Sequence, residues 1–226
     1  MAGHVAVAWP SDLVFDNGRL VGFLMPAIDV AATVELHQIA NPSDRSSNFG
    51  VHFTWRHLVH VARNLARAVE LLHTAQVVIG DFNERNILVW NDARVSLIDC
   101  DSMQVIDPAS GEVFYCKVGR PEFTPPELQA TDWQVTKRAA SSDLFALATH
   151  LHQLLLQGEH PYRGRWHGKG EKPGVPELSR DGLWTFAGDP RLSPRENKAS
   201  ISVLPPAIID LFKRAFVSGA TNARSR

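Results

Sequence analysis

The run from Asp143 to Gln157, "DLFALATHLHQLLLQ", constrains this chain more than any other. It is long enough for a helix and apolar on most of its sides, so it predicts a central element that the rest of the chain must surround. Ser141 or Ser142 is placed to cap its start, and Gly158 to end it. A second helix is predicted from Trp55 to His73, where Leu58, Ala62, Leu65, Val69 and Leu72 recur at helical spacing and Arg56, Arg63, Arg67 and Glu70 fall largely elsewhere. A last amphipathic helix runs from Pro206 to about Phe216.

Strand signals are short. "VAVAW" (5–9) and "LVGFLMPAI" (20–28) flank Asp16-Asn17-Gly18, a turn signal that predicts an opening hairpin with Val5–Trp9 as an exposed edge. Residues 77–79, 87–90 and 94–98 read as further strands, the last two joined at Asn91-Asp92. Residues 161–200 read as a Gly-, Pro- and base-rich loop, and no internal repeat is present. The fold class is therefore α+β, mainly helical. With 226 residues, 44% of them hydrophobic, there is enough material for one sizeable core arranged in one or two lobes.

A net charge of −1 gives no global attraction to nucleic acid or anionic lipid, and no apolar run is long enough to span a bilayer. The amino terminus lacks a basic, signal-like start. Two cysteines, Cys100 and Cys116, are too few for a disulfide framework and read as small apolar fillers, which makes the cytoplasm the default compartment. His57 and His60 lie three apart on one helix, but no acidic or cysteine partner accompanies them, so surface histidines are expected rather than a metal site. Arg163, Arg165, Lys169, Lys172 and Arg180 form a basic stretch that acidic residues interrupt. A solvated insertion is the expected reading, with docking of an acidic substrate or a nucleic acid as the alternative.

The stretch 77–102, "VVIGDFNERNILVWNDARVSLIDCDS", places Asp81, Asn86 and Asp99 at strand ends and in loops, where sites are usually carried. Asp81-Phe82-Asn83-Glu84-Arg85-Asn86, then "ILVW", then Leu97-Ile98-Asp99 thirteen positions after Asn86, resembles the catalytic and metal-binding loops of the protein kinase superfamily. Gly119 to Glu127, "GRPEFTPPE", is similar to that family's G-T-P-x-Y-x-A-P-E block. Asp143 opens a helix where the family has its central one, and "GEHPY" (158–162) fits the turn after it. The resemblance implies a protein kinase-like fold: residues 1–28 as a partial small lobe and hinge, and 29–226 as the large lobe.

The resemblance also implies roles. Phosphoryl transfer needs oxygen ligands for Mg²⁺ and one carboxylate to orient the attacking hydroxyl. Asn86 and Asp99 would hold the metal of an ATP–Mg²⁺ complex, and Asp81 would face the hydroxyl of a protein substrate. Glu127 would pair with Arg224, and Asp143 would hold the catalytic-loop backbone from below or simply cap its helix. Backbone groups near Met25 and Ala27 would meet adenine, or else belong to a plain core strand. Asn83 stands where the family has a catalytic-loop lysine and Arg120 where it has a threonine. Both are therefore candidate catalytic residues, with Arg120 expected to return positive charge to Asp81.

Departures are equally plain. Ile79-Gly80 replaces the His-Arg of H-R-D, Cys100-Asp101 replaces the Phe-Gly of D-F-G, and no Gly-rich loop or lysine precedes Lys117. These departures set a Ser/Thr phosphotransferase with weak activity in this stretch against a pseudokinase that binds partners. An aminoglycoside- or choline-type phosphotransferase is disfavoured by "GRPEFTPPEL", which that class lacks.

Overall fold

The computed structural model describes residues 4–196 and 198–226. At the centre is helix α4, Ala140–Leu155, packed against α3, Trp55–Thr74. Leu58, Val61, Leu65, Val69 and Leu72 of α3 and Phe145, Ala146, Leu154 and Leu155 of α4 are buried in one core. The start of α4 differs from expectation. Ala139 is its extended N-cap residue, and the Ser142 hydroxyl turns back to donate to the Ala139 carbonyl (2.6 Å). The Asp143 carboxylate is drawn elsewhere, as described below. In α3 the cap is built from Thr54 and His57: the Thr54 N–H donates to His57 Nδ1 (3.1 Å), so this ring serves the helix start rather than a metal.

The expected hairpin exists with one strand changed. β1 is Asp12–Asp16 and β2 is Arg19–Leu24, antiparallel, with Asp16 opposite Arg19 and positive φ at both Asn17 (47°) and Gly18 (77°). A two-residue turn of this kind pairs the residues directly beside it, which excludes Val5–Trp9 from the hairpin. That segment lies instead along Leu97: Val7 forms a parallel bridge to it, and Ala8 N–H donates to its carbonyl (2.9 Å). Val5–Trp9 is therefore paired along one side, beside β5, instead of belonging to the hairpin.

A three-stranded antiparallel sheet follows in the order β3 (Thr33–Glu35), β4 (Ile87–Trp90), β5 (Val95–Leu97). β3 lies in a stretch, 29–54, with no strand pattern, and it is followed by two short helices, α1 (His37–Ala40) and α2 (Pro42–Phe49). Residues 77–79 make no strand beyond a bridge between Val78 and Gln104. The segment after Asp99 carries a small hairpin, β6 (Val105–Ile106) and β7 (Val113–Phe114). Residues 161–200 are more ordered than their composition implies, with β8 (Arg165–Trp166) paired to β9 (Leu192–Ser193) and helix α5 (Val175–Arg180) between them. Two-residue strands are too short to show a period in sequence.

The closing helix α6, Pro206–Lys213, continues into a wider π turn over 214–218. It delivers Phe212 and Phe216 to an aromatic cluster with Phe145, Tyr162 and Trp184 around His152. No described helix is long and apolar enough to cross a membrane.

Candidate active site

The site is built on the loop between α3 and β4, and its geometry starts from Asp143. This carboxylate is almost fully buried and accepts from three donors: Ile79 N–H (2.8 Å), Gly80 N–H (3.0 Å) and His73 Nε2 (2.9 Å). Of its two expected roles it takes the first, holding the backbone that leads into Asp81, and it makes no side-chain cap bond. Two backbone amides on one carboxylate fix the direction in which the chain leaves towards Asp81. Gly80 is required at that exit. Its φ is +72°, and a Cβ there would collide with the Cys116 sulfur.

Asp81, half-buried, opens the loop. Its carbonyl accepts from Asn83 N–H (3.0 Å) and Asn86 Nδ2 (3.1 Å), and its Oδ1 is buried without a partner among the described residues. Asn86 Nδ2 also donates to Asp99 Oδ2 (3.2 Å), so a residue at the start of β4 and one just after β5 converge beside Asp81. Asp99 sits in the left-handed region (φ 64°, ψ 42°), a conformation that aspartate tolerates better than most side chains. Its pKa is raised by burial first, and then by the neighbouring Asp101 and Asp81 carboxylates, with Ser102 opposing.

Three carboxylates thus crowd one corner, and among the described residues no ion pair to lysine or arginine neutralises Asp81 or Asp99. Hard oxygen donors in excess of cations fit a divalent ion. No group of three or more His, Cys, Asp or Glu among the described residues is arranged to hold one alone. Asn86 and Asp99 offer oxygen donors of the kind that would fit Mg²⁺ taking its remaining oxygens from phosphate and water.

Other expected residues are placed differently. Arg120 does not meet Asp81: its Nη1 reaches Glu84 Oε1 at 3.5 Å, a long and half-exposed pair. Asn83 is buried and faces inward, its Oδ1 accepting from Arg85 N–H (3.0 Å), so its side chain shapes the loop. Met25 and Ala27 are exposed on the chain leaving β2. Glu127 finds its arginine, but it is Arg226 rather than Arg224. Arg226 Nη1 and Nη2 donate to the two carboxylate oxygens (2.5 and 2.7 Å), and the guanidinium lies 5.3 Å from the centre of the Phe145 ring. A 3₁₀ turn over 223–225, capped by Asn222, sets which side chain turns inward.

Arg138 is a residue that pattern reading passed over. It is buried, its guanidinium lies 5.0 Å from the centre of the Trp133 ring, and its Nη2 donates to the Val118 carbonyl (2.7 Å). Its Nη1 lies 3.2 Å from where a Gly80 Cβ would stand, so a cation borders the very position that the sequence leaves without an arginine. Only the tertiary fold makes those two positions neighbours; nothing in "TKRAASSD" signals it.

The protein kinase domain family model matches residues 25–181. The chain belongs to the protein kinase family. It is 34% identical over 96% of its length to protein kinase YegI of Escherichia coli O157:H7 and 33% identical over the same share to that of Escherichia coli strain K12. It spans about a third (34%) of the length of these relatives. A striated muscle preferentially expressed protein kinase of Danio rerio is 28% identical over 46% of the chain, which is 3% of that relative's length. Three of the hydroxyls between Asp99 and Glu127 are engaged locally: Ser102 on the Asp99 carbonyl (2.9 Å), Ser110 on Asp107 (2.5 Å) and Thr124 on the Arg120 carbonyl (2.8 Å). Cys100, in the place of a bulky aromatic, donates its S–H to the Ala8 carbonyl (2.9 Å) and so ties the metal-loop candidate to the Val5–Trp9 segment.

Proposed function

We propose that this stretch is the substrate-facing part of a Ser/Thr protein kinase that moves the ATP γ-phosphate to a protein hydroxyl. The observation that carries the reading is the convergence of Asn86 and Asp99 at 3.2 Å next to Asp81, on a loop that the buried Asp143 holds in place. Asp81 orients the attacking hydroxyl and accepts its proton. Asn86 and Asp99 hold Mg²⁺, which when bound neutralises phosphate charge. Met25 and Ala27, on the exposed segment after β2, offer backbone groups to adenine, and the boundary near 28 separates that hinge from the large lobe. Glu127 and Arg226 keep the 119–127 segment pinned so that a peptide can lie across it.

Residues 1–226 hold no lysine before Lys117 and no Gly-rich phosphate loop, so this stretch alone transfers phosphate weakly. Incubation of the full-length protein with radiolabelled ATP and Mg²⁺ is expected to label a protein substrate, with the rate reduced about 10²- to 10⁴-fold by Asp81→Asn. Equal labelling by that variant would remove the assignment. One observation favours a second reading, a partner-binding pseudokinase: Cys100 is tied to Ala8, a restraint on the metal loop that a switching kinase would not carry. Mg²⁺-dependent nucleotide binding without turnover in the full-length protein is the result that reading expects.

A further inference from the structure

Beside the catalytic loop lies a cavity of about 600 Å³ that the chemistry above does not use. It is walled by Glu84 and Arg85 of that loop, by Arg120 and Glu122 of the segment after Gly119, and by Arg163 and Lys172 from the stretch after α4. Four cationic side chains thus face two carboxylates.

The positive charges here are only partly paired. Among the described residues Arg85 and Arg163 make no ion pair, and Arg120 has only the long contact to Glu84. The Lys172 amine is held by the Tyr162 and Gly164 carbonyls, both at 3.2 Å, which orient it without cancelling its charge. Its pKa is lowered by burial first and then by Arg163 and Arg195, with the Glu159 carboxylate opposing. His160 also lines the cavity, but its Nε2 donates to the Glu122 carbonyl (3.0 Å), and burial lowers its pKa to about 4, so it stays neutral and contributes shape rather than charge. Of the other basic residues of the stretch, Arg165 pairs with Glu196 and Arg180 with Glu177, while Lys169 has no ion pair among the described residues and does not line the cavity.

We propose that this cavity is a specificity site for acidic side chains of the protein substrate, Asp, Glu or phosphoserine, flanking the hydroxyl presented to Asp81. The proposal rests on the phosphotransfer reading for its orientation, because Glu84 and Arg85 lie three and four residues after Asp81 on one loop. A peptide fits better than a nucleic acid. The positive groups line a pocket that also holds two carboxylates, rather than forming the continuous basic track with stacking rings that a nucleic-acid strand needs.

The test uses the full-length protein and serine-centred peptides carrying Asp, Glu, phosphoserine or Lys at each flanking position, with binding of fluorescein-labelled versions followed by anisotropy. Acidic peptides are expected to be phosphorylated about tenfold more efficiently than basic ones, and the preference is expected to reverse in Arg85→Glu/Arg163→Glu while Arg85→Lys/Arg163→Lys keeps it. Both positions are exposed, so the reversal does not require a change of fold. The Asp and phosphoserine arms separate a carboxylate site from a phosphate site. Transfer with no acidic preference overturns the inference and leaves the phosphotransfer reading standing. Absence of transfer to every peptide removes that reading instead, and the binding arm then decides: acidic peptide held about tenfold more weakly by the charge-reversed variant supports the cavity, and no difference overturns it. Displacement of the peptide by an equal concentration of RNA oligonucleotide also overturns it.

Discussion

The core around α4 and the β1–β2 hairpin use similar side chains to opposite ends. In the first, Phe145, Tyr162, Trp184 and Phe216 are buried to within 1% of full coverage. In the second, Leu13, Phe15, Leu20, Phe23 and Leu24 are about half exposed (49–58%). Cross-strand register makes Leu13 and Phe23 neighbours on one face, while Leu24 and Gly22 lie on the other, so apolar groups occur on both sides of a two-stranded ribbon. Such a ribbon is marginal on its own. The difference teaches that stability in this chain comes from the core around α4 rather than from the hairpin, and that substitutions of the same chemical kind have different weight in the two regions.

Acid is expected to break the contrast most. His150, His152 and His160 are buried in or against the core, and burial lowers their pKa values to about 4, 3 and 4, against partly offsetting hydrogen bonds to the Phe82, Glu159 and Glu122 carbonyls. The unfolded chain takes up these protons first. The stability they represent is therefore complete above about pH 6.5 and is withdrawn as pH falls towards 4, at on the order of 1.4 kcal/mol per histidine per pH unit. Urea midpoints between pH 7 and 4.5 should fall steeply, and a flat profile would show that these rings are not buried neutral.

Next in size, Phe145→Ala is expected to cost about 3–5 kcal/mol, since it opens a cavity beneath Tyr162 and Phe216 and removes the ring beneath Arg226. Phe15→Ala in the hairpin should cost less than about 1 kcal/mol. Comparable losses by denaturant melts would mean that the ribbon is covered by something in the protein tested.

Smaller still, Arg226→Ala should cost about 1–2 kcal/mol, a value discounted because Glu127 is partly exposed although the arginine is not. The companion Arg224→Ala should be near neutral, and the reverse order in a thermal melt would restore the pairing that the sequence suggests. The smallest effect is expected for Leu13→Lys/Phe23→Lys, with no measurable change in the unfolding midpoint but less self-association by light scattering. A rise in association would show that the apolar faces are not what draws copies together.

Much of this was readable in the chain itself. The two long helices declare themselves through apolar spacing, a local property, whereas Asp81, Asn86 and Asp99 stand out only through the resemblance of their order to the protein kinase loops. Asp143 was legible as a residue under that loop, although its two amide bonds were not.

What only the tertiary structure decided has one physical reason in common: it depends on which distant residues become neighbours. The two-residue turn at Asn17-Gly18 selects Asp12–Asp16 as its strand, and Val5–Trp9 is left to pair with Leu97, some ninety residues away. The expected partner of Arg120 is Asp81, but its guanidinium makes only a long contact of 3.5 Å to Glu84, because its place in the folded loop rather than in a motif sets its neighbour. Arg226 outcompetes Arg224 for Glu127 because a final 3₁₀ turn sets which side chain points inward over Phe145. Arg138 and Gly80 are far apart in the chain, and the fold alone sets that guanidinium against the loop that carries Asp81.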